Sequence, residues 1–254
     1  MSLHFKKSGS GDALVLIHGL FGSLENLGAI ARLLSAHFTV YSVDLPNHGR
    51  SLHTETTSLE SLSHLLLEWL DQQQLQKVHI FGHSLGGKVG MELALRHPER
   101  VDRLVVVDIA PVHYEPHHHE VFGGLLAIDP TVLASRAEAD TTLKQHVDDM
   151  VIRSFLLKNL VKEPGGHFSW RMNLPVIHRG YAELVKGNHA ESSFHGDTLF
   201  LKGGNSDYIK EHFRDDILSR FPKAGLKVIA NTGHWLHAEK PEIVAKITQK
   251  FFSQ

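Results

Sequence analysis

The sequence predicts an α/β fold in which a mostly parallel β-sheet is flanked by helices, with a helical cap inserted after the strand that ends at Asp108. Three observations support this prediction. Short apolar runs alternate with segments of helical periodicity in the first half of the chain, and the same alternation returns near the C-terminus. Between these parts lies a stretch with helical patches and prolines but no clear strand run. The 254 residues are enough for one such domain with an insertion.

Four predicted strands and three predicted helices make up the first half of the chain. Each strand is a short apolar run, which is typical of a strand buried on both faces of a parallel sheet. Each helix carries apolar residues three and four positions apart, so that they share one face. The strands cover residues 13–17, 38–43, 77–81 and 104–107, and the helices begin near residues 25, 59 and 85.

The second half begins with the insertion and then returns to the alternating pattern. Strands are predicted at residues 198–201 and 226–230, with helices at 208–221 and near the C-terminus. A helical insertion of this size in a parallel sheet is typical of a lid. We therefore predict an α/β core formed by residues 1–111 and 195–254, and a helical cap formed by residues 112–194.

The composition excludes several classes of function. The formal net charge is −2, so the chain lacks the basic excess that accompanies binding to nucleic acid or to anionic membranes. The absence of cysteine excludes disulfides, thiolate metal sites and a cysteine nucleophile. No apolar run approaches the ~18 residues of a transmembrane helix. Residues 1–11 also lack the apolar run of a signal peptide. We therefore expect a cytoplasmic protein with no nucleic-acid or membrane partner.

The strongest chemical signal is the G-x-S-x-G motif at residues 82–86, with Ser84 at its centre. It directly follows the predicted strand at 77–81 and directly precedes the predicted helix at 85–96. A sharp strand-to-helix turn exposes the serine hydroxyl at the edge of the sheet, and the flanking glycines allow close backbone contacts. This placement predicts that Ser84 is a nucleophile rather than part of an ordinary turn.

Two further motifs supply the groups that a serine nucleophile needs. Acyl transfer requires N–H donors for the developing oxyanion, and we predict the backbone of Leu85 and of Leu20, in the loop after the first strand, as the donors. Serine also needs a neighbouring base. Histidine is the residue type that most often serves as a general base. His234 follows the strand at 226–230, so we predict it as the base.

The sequence resembles the α/β-hydrolase superfamily over essentially its whole length, and most closely the bacterial YbfF-like esterases. The resemblance rests on HGLFGSLENLG from His18, VDLPNHGRS from Val43, FGHSLGGK from Phe81, VDIAPV from Val107, WRMNLPVI from Trp170, LKGGNSDY from Leu201 and NTGHWLHAEKPE from Asn231. It implies hydrolysis of short- to medium-chain acyl esters, with acyl thioesters as a further substrate class. It also implies that no metal or organic cofactor is needed.

The acid of the catalytic triad has two candidates. In most members of the superfamily it follows the strand after the cap, where Ser206 takes the expected position and Asp207 comes one residue late. The resemblance to YbfF-like proteins implies a second location for the acid, at the end of the strand before the cap. Asp108 lies there. We favour Asp108, keep Asp207 as the alternative, and expect Ser206 as an auxiliary group near the base.

The acyl pocket and the remaining histidines are less clearly marked. We expect aromatic side chains to form the pocket wall, although ordinary core packing explains them equally well: Phe21, Phe122, Phe155, Trp170 and Trp235. The three consecutive histidines at 117–119 favour a solvated, mobile cap segment rather than a metal site, because adjacent side chains point apart.

These observations predict a serine carboxylesterase that uses Ser84, His234 and Asp108 to hydrolyse a small acyl ester or thioester. Fold alone does not fix the bond that is cleaved. A C–C bond hydrolase or an N-terminal peptidase would use the same triad. A non-catalytic ligand receptor on the same scaffold is a further alternative, and we would expect it to show a damaged triad.

Overall fold

The computed structural model describes residues 3–189 and 191–254. Its strands are β1 (Phe5–Ser8), β2 (Ala13–Ile17), β3 (Thr39–Val43), β4 (Val78–His83), β5 (Val101–Val107), β6 (Leu160–Lys162), β7 (Phe168–Trp170), β8 (Asp197–Gly203) and β9 (Ala224–Ile229). Seven of them form one sheet in the order β1-β3-β2-β4-β5-β8-β9. Every neighbouring pair in this sheet is parallel except β1 and β3.

Helices cover both faces of the sheet. They are α1 (Gly28–Leu34), α2 (Leu59–Gln72), α3 (Leu85–Arg96), α4 (His119–Leu126), α5 (Arg136–Leu143), α6 (Met150–Leu156), α7 (Leu174–Arg179), α8 (Tyr181–Leu184), α9 (Arg214–Arg220), α10 (Leu236–Glu239) and α11 (Pro241–Phe252). Within the part of the chain that the structure describes, no helix combines the length and the apolarity of a transmembrane segment.

The alternation of side chains along a strand explains the two apolar layers. In β2, Leu14 and Leu16 pack into a cluster that contains residues of α1 and α11. Val15 and Ile17 point the other way, into a cluster that contains residues of α2 and α3. Because both faces are covered, the strand appears in the sequence as an unbroken apolar run. The predicted α/β fold with a mostly parallel, helix-flanked sheet is therefore confirmed.

Two elements of the sheet region differ from the prediction. β1, which was not predicted, is a short edge strand with mostly exposed polar side chains that pairs antiparallel with β3. The helix predicted at residues 208–221 is shorter in the structure, where it covers Arg214–Arg220. That segment contains a 3₁₀ turn at Glu211–Phe213 followed by α9, and Tyr208 lies in the loop after β8.

The segment between β5 and β8 contains α4 to α8, but it is not entirely helical as predicted. β6 and β7 form a small antiparallel sheet in which Leu160 pairs with Trp170. Each strand has only three residues, which is too short to produce an apolar run in the sequence. The turn that joins them contains Gly166 in the left-handed region, with φ +87°.

A tight turn after β3 gives the first prediction, because Gly49 has φ +54° and a Cβ there would lie 2.2 Å from the carboxyl carbon of Asp44. That carboxylate already accepts the N–H groups of Leu24 at 2.7 Å and Arg50 at 2.9 Å, so it has little freedom to move. We expect Gly49→Ala to lower the free energy of unfolding by about 2 kcal/mol or more, from backbone strain and overpacking. Urea denaturation measures the change.

Gly28→Ala is the matched control for this prediction. Gly28 lies at the start of α1 in a helical conformation, and a Cβ added there would have no neighbouring atom within 4 Å. Here we expect the free energy of unfolding to rise by roughly 0.4–1 kcal/mol, because alanine restricts the unfolded chain. Equal changes in the two variants would show that the turn at Gly49 is not constrained as described.

Candidate active site

Ser84 lies on a sharp turn between β4, which ends at His83, and α3, which begins at Leu85. Its backbone has φ +52° and ψ −118°, a conformation that non-glycine residues rarely adopt. A Cβ on Gly82 would lie 2.3 Å from the carbonyl oxygen of Gly86, and a Cβ on Gly86 would lie 2.2 Å from that of Ile17. The two glycines of the motif are therefore required by close backbone contacts around the serine.

Asp108 immediately follows β5 and is fully buried. The Nδ1–H of His234 donates to its Oδ2 at 2.8 Å, and the backbone N–H of Gly203 donates to its Oδ1 at 2.9 Å. The hydroxyl of Ser206 donates a short hydrogen bond to Oδ2. Asp207, the alternative acid, is exposed. The structure thus joins Asp108 to His234 by a hydrogen bond and brings the Ser206 hydroxyl to the same carboxylate.

His234 follows β9 and is held with one ring nitrogen bound and the other available. Because Nδ1 donates to the Asp108 carboxylate, the neutral ring has Nε2 as its acceptor. The ring of Tyr208 stacks on the imidazole with a centroid distance of 4.0 Å and an interplanar angle of 21°. Tyr208 also lines the cavity that contains Ser84. The His234 ring therefore lies directly behind a side chain of the cavity wall that contains Ser84.

The loop after β2 packs against the nucleophile. A Cβ on Gly19 would lie 3.3 Å from the Cβ of Ser84, so the backbone of this loop passes directly beside the serine. His18 fixes the loop, because its Nδ1–H donates to the Gly19 carbonyl at 2.8 Å and its Nε2 accepts the Leu45 N–H at 3.0 Å. Leu20 and Leu85, the two predicted oxyanion donors, both line the cavity beside Ser84.

The cavity encloses about 390 Å³ of empty space, part of which is open to solvent. One part of its wall is apolar and another carries hydroxyl, imidazole and amine groups. The apolar part includes Leu20, Leu85, Ile109, Leu184 and Val185, and the polar part includes Ser84, Lys88, Tyr114, His117, His118, Tyr181 and Tyr208.

The five aromatic residues that were predicted to form the pocket wall have other positions in the structure. Phe21 and Phe122 are buried and pack against each other with ring centroids 5.1 Å apart. Phe155 pairs with Trp235 at 6.1 Å, and Trp170 ends β7. Among the described residues, none of these five lines the space beside Ser84. Aromatic side chains occur in a hydrophobic core as readily as in the wall of a cavity. The residue types alone therefore did not distinguish core residues from cavity residues.

Lys88 is a cavity residue that the sequence analysis missed. It is only 2% exposed, and its Nζ donates to the carbonyl oxygens of Val112 at 2.8 Å, Val185 at 3.2 Å and Lys186. Burial lowers the pKa of this amine to about 7. Its position four residues after Ser84, in the first turn of α3, is the signal that would have placed it on the side of the helix that faces the serine.

The histidines at 117–119 differ only in part from the predicted solvated segment, because His117 and His119 are exposed whereas His118 is not. His117 accepts a hydrogen bond at Nε2 from the Tyr208 hydroxyl at 2.7 Å, because its Nδ1–H donates to the Glu115 carbonyl. His118 is half-buried and bonds the hydroxyl of Tyr181. Burial lowers the pKa of His118 to about 3. Both rings belong to the cavity wall, and their partners lie far away in the sequence.

Buried neutral histidines give a prediction for the pH dependence of stability. Burial lowers the pKa of His18 to about 4 and of His48 and His237 to about 3, and it also lowers the pKa of His83. In the unfolded chain these rings titrate near ~6.5, so below that pH the unfolded state binds more protons than the folded state.

We therefore expect the free energy of unfolding to be independent of these histidines above pH ~7 and to fall as the pH drops from ~6.5 toward ~4. Each histidine that gains a proton only on unfolding contributes a slope of up to about 1.4 kcal/mol per pH unit. Urea denaturation between these pH values measures the slope. A stability that stays constant on acidification through this window would contradict the buried, neutral state of the rings.

Comparison with known proteins agrees with this architecture. The protein family described as the alpha/beta hydrolase fold matches residues 12–241. Esterase YbfF of Escherichia coli (strain K12) is 39% identical over 241 residues, which cover 94% of this chain and 92% of that protein. The sn-1-specific diacylglycerol lipase ABHD11 of Mus musculus is 40% identical over 240 residues, covering 91% of this chain and 77% of that protein.

A solved structure described as a marine microorganism esterase superimposes with a TM-score of 0.96. It is 38% identical in sequence, and the match covers 99% of both chains. Identity at this level over nearly the whole length, together with the family match, shows common ancestry as well as a common fold. The chain therefore belongs to the α/β-hydrolase family and, within it, to the group of esterases and lipases that includes YbfF and ABHD11.

Proposed function

We propose that this protein is a serine carboxylesterase that hydrolyses short- to medium-chain acyl esters through Ser84, His234 and Asp108. The observation that carries the proposal is the 2.8 Å hydrogen bond from His234 to the buried Asp108, with Tyr208 stacked on that histidine and lining the cavity that contains Ser84 on its strained turn. A non-catalytic receptor has no need of such a turn and such an oriented histidine. The arrangement therefore favours an enzyme.

Acylation begins with attack of the Ser84 Oγ on the ester carbonyl carbon. As the new C–O bond forms, His234 Nε2 takes the hydroxyl proton, and the Asp108 carboxylate stabilises the resulting imidazolium. The carbonyl oxygen gains negative charge, and we assign its binding to the backbone N–H groups of Leu20 and Leu85, which both line the cavity. The imidazolium then gives its proton to the leaving alcohol, and an acyl-enzyme remains on Ser84.

Deacylation repeats the same steps with water. His234 removes a proton from the attacking water, the same donors hold the second oxyanion, and the proton returns to Ser84 as the free acid leaves. The sequence of steps applies equally to an acyl thioester, whose leaving group is a thiol. Short and medium acyl chains fit the proposal because the apolar part of the cavity wall beside Ser84 is formed by only five aliphatic side chains among the lining residues.

We also propose that residues 112–194 act as a cap over an α/β core formed by 1–111 and 195–254. Two observations support this division. The cavity lies between the turn at Ser84 and side chains from the inserted segment, including His118 and Tyr181. The buried amine of Lys88, on α3, binds carbonyl groups near both ends of that segment, at Val112 and Val185.

The proposal is tested by hydrolysis of p-nitrophenyl acetate, butyrate, octanoate and palmitate, with the Ser84→Ala variant providing the background rate. We expect turnover of the shorter esters, with kcat/KM falling sharply at palmitate. Butyryl thioester assayed beside the butyrate ester then ranks the two substrate classes. Activity confined to the palmitate ester would overturn the chain-length proposal. A wild type that matches Ser84→Ala on every substrate would overturn the esterase proposal itself.

A further inference from the structure

His83 is the residue between Gly82 and Ser84 in the G-x-S-x-G motif. Its side chain lies close to His234, His237 and Gly19. The residue is 4% exposed. Its ring lies 4.8 Å from the ring of His234 and 4.1 Å from that of His237, measured between centroids. A Cβ on Gly19, in the loop after β2, would lie only 3.0 Å from its Nδ1. The ring is therefore enclosed by the loops that carry the base and the predicted oxyanion donor.

The ring of His83 makes a polar contact with the backbone of His234. His83 Nε2 lies 3.0 Å from the backbone carbonyl oxygen of His234. A carbonyl oxygen only accepts hydrogen bonds, so Nε2 carries the proton and donates it. Burial, followed by repulsion from His237 and His234, holds the pKa of His83 well below its usual range. The ring is therefore a neutral, fixed donor and not a second base.

The hydrogen bond from His83 to His234 connects two strands that are not neighbours in the sheet. β4, which ends at His83, and β9, which precedes His234, are separated in the sheet by β5 and β8. The Asp108 carboxylate orients the imidazole of His234 through the Nδ1 atom of the ring. This bond does not hold the backbone of the loop after β9, so other contacts must do so. His83 is covalently joined to Ser84, so its bond links the nucleophile turn to the backbone of the base.

We propose that His83 is a positioning residue that sets the distance between His234 and Ser84 through the hydrogen bond from its Nε2–H to the His234 carbonyl oxygen. This inference rests on the proposed function of Ser84 and His234. Losing the donor leaves a carbonyl group without its partner and allows the loop to shift. A displacement of ~1 Å in reacting groups costs about 10²-fold in rate, so the effect should appear in kcat rather than in KM.

The test compares His83→Gln with His83→Leu. Glutamine places an N–H donor the same number of bonds from Cα as the histidine Nε2, whereas leucine fills the space without a donor. The readout is the rate at which an alkyl fluorophosphonate, which phosphonylates a reactive serine and releases fluoride, labels Ser84 as followed by mass spectrometry. kcat and KM for p-nitrophenyl butyrate are measured alongside, and thermal unfolding verifies that each variant is folded.

We expect labelling and kcat to fall by about 10- to 100-fold in His83→Leu, with KM within about threefold of the wild type, and most of the loss to be recovered in His83→Gln. A leucine variant that matches the wild type, or a glutamine variant as slow as the leucine variant, would overturn the role of the donor. If His83→Leu does not fold, His83→Asn takes its place, because its amide is one bond too short to reach the carbonyl.

The same experiment separates failure of this inference from failure of the proposed function. A wild-type protein that the fluorophosphonate does not label at Ser84 would refute the nucleophile, and with it the positioning role that depends on it. Normal wild-type labelling with an unaffected leucine variant would refute the positioning role alone.

Discussion

Replacing His234 with alanine is expected to lower kcat for ester hydrolysis by about 10⁶-fold, because triad residues act as a unit and the serine hydroxyl is a poor nucleophile without its base. The Nε2 of His234 is the only basic atom that the proposed mechanism uses in both half-reactions. KM is expected to change little, since the imidazole acts on protons and not on the acyl chain. Steady-state kinetics on p-nitrophenyl butyrate, corrected for spontaneous hydrolysis, measure the loss.

His195→Ala is the matched control for this variant. His195 is an exposed histidine whose Nε2 shares a hydrogen bond with the hydroxyl of Ser193 at the surface. Its removal should leave kcat within about twofold of the wild type, because surface changes away from a site have small effects. A His234→Ala variant that retains a substantial part of the wild-type rate would show that another group serves as the base.

The second large effect concerns the acid, where we expect Asp108→Asn to lower kcat by about 10⁴-fold. An asparagine preserves the shape of the side chain but can present an N–H to His234, which favours the wrong tautomer and removes the charge that stabilises the imidazolium. Asp108 is fully buried, and an asparagine oxygen in the Oδ1 position can still accept the N–H of Gly203. The Ser206 hydroxyl donates to the same Oδ2 as His234, so it loses its acceptor when the amide N–H₂ takes that position. Steady-state kinetics on p-nitrophenyl butyrate measure the loss.

Asp207→Asn provides the comparison that assigns the acid. Asp207 lies one residue after Ser206, but it is exposed, and His234 bonds Asp108 instead. We expect this variant to retain kcat within about threefold of the wild type. Rates measured for both variants on one ester decide between them: a larger loss in Asp207→Asn than in Asp108→Asn would transfer the role to Asp207.

The main groups of the site were predictable because they follow strands. Ser84 and Asp108 directly follow buried strands, and His234 comes a few residues after β9, whose side chains are mostly exposed. Parallel strands bring their carboxyl ends to one edge of the sheet. The choice between Asp108 and Asp207 was not predictable from spacing. It depends on the packing of β5 beside β8, which brings the N–H of Gly203 to the Asp108 carboxylate.

The cavity wall was not predictable for a different reason. Tyr208 lies in an irregular loop, and its stacking on His234 depends on loop geometry that has no sequence period. His117 and His118 form a polar run in the sequence, yet their partners are Tyr208 and Tyr181, which lie far along the chain. Contacts of this kind arise only after the inserted segment has packed onto the core.

The measurement that tests the central claim most directly is the capture of the acyl-enzyme on Ser84. The protein is mixed with excess p-nitrophenyl butyrate, quenched in acid during turnover, digested and analysed by mass spectrometry, with Ser84→Ala treated in parallel. We predict a butyryl group on the peptide that contains Ser84, an initial burst of p-nitrophenol that does not exceed the amount of enzyme, and neither signal in the variant. Turnover by the wild type with the butyryl group on another residue would contradict the account.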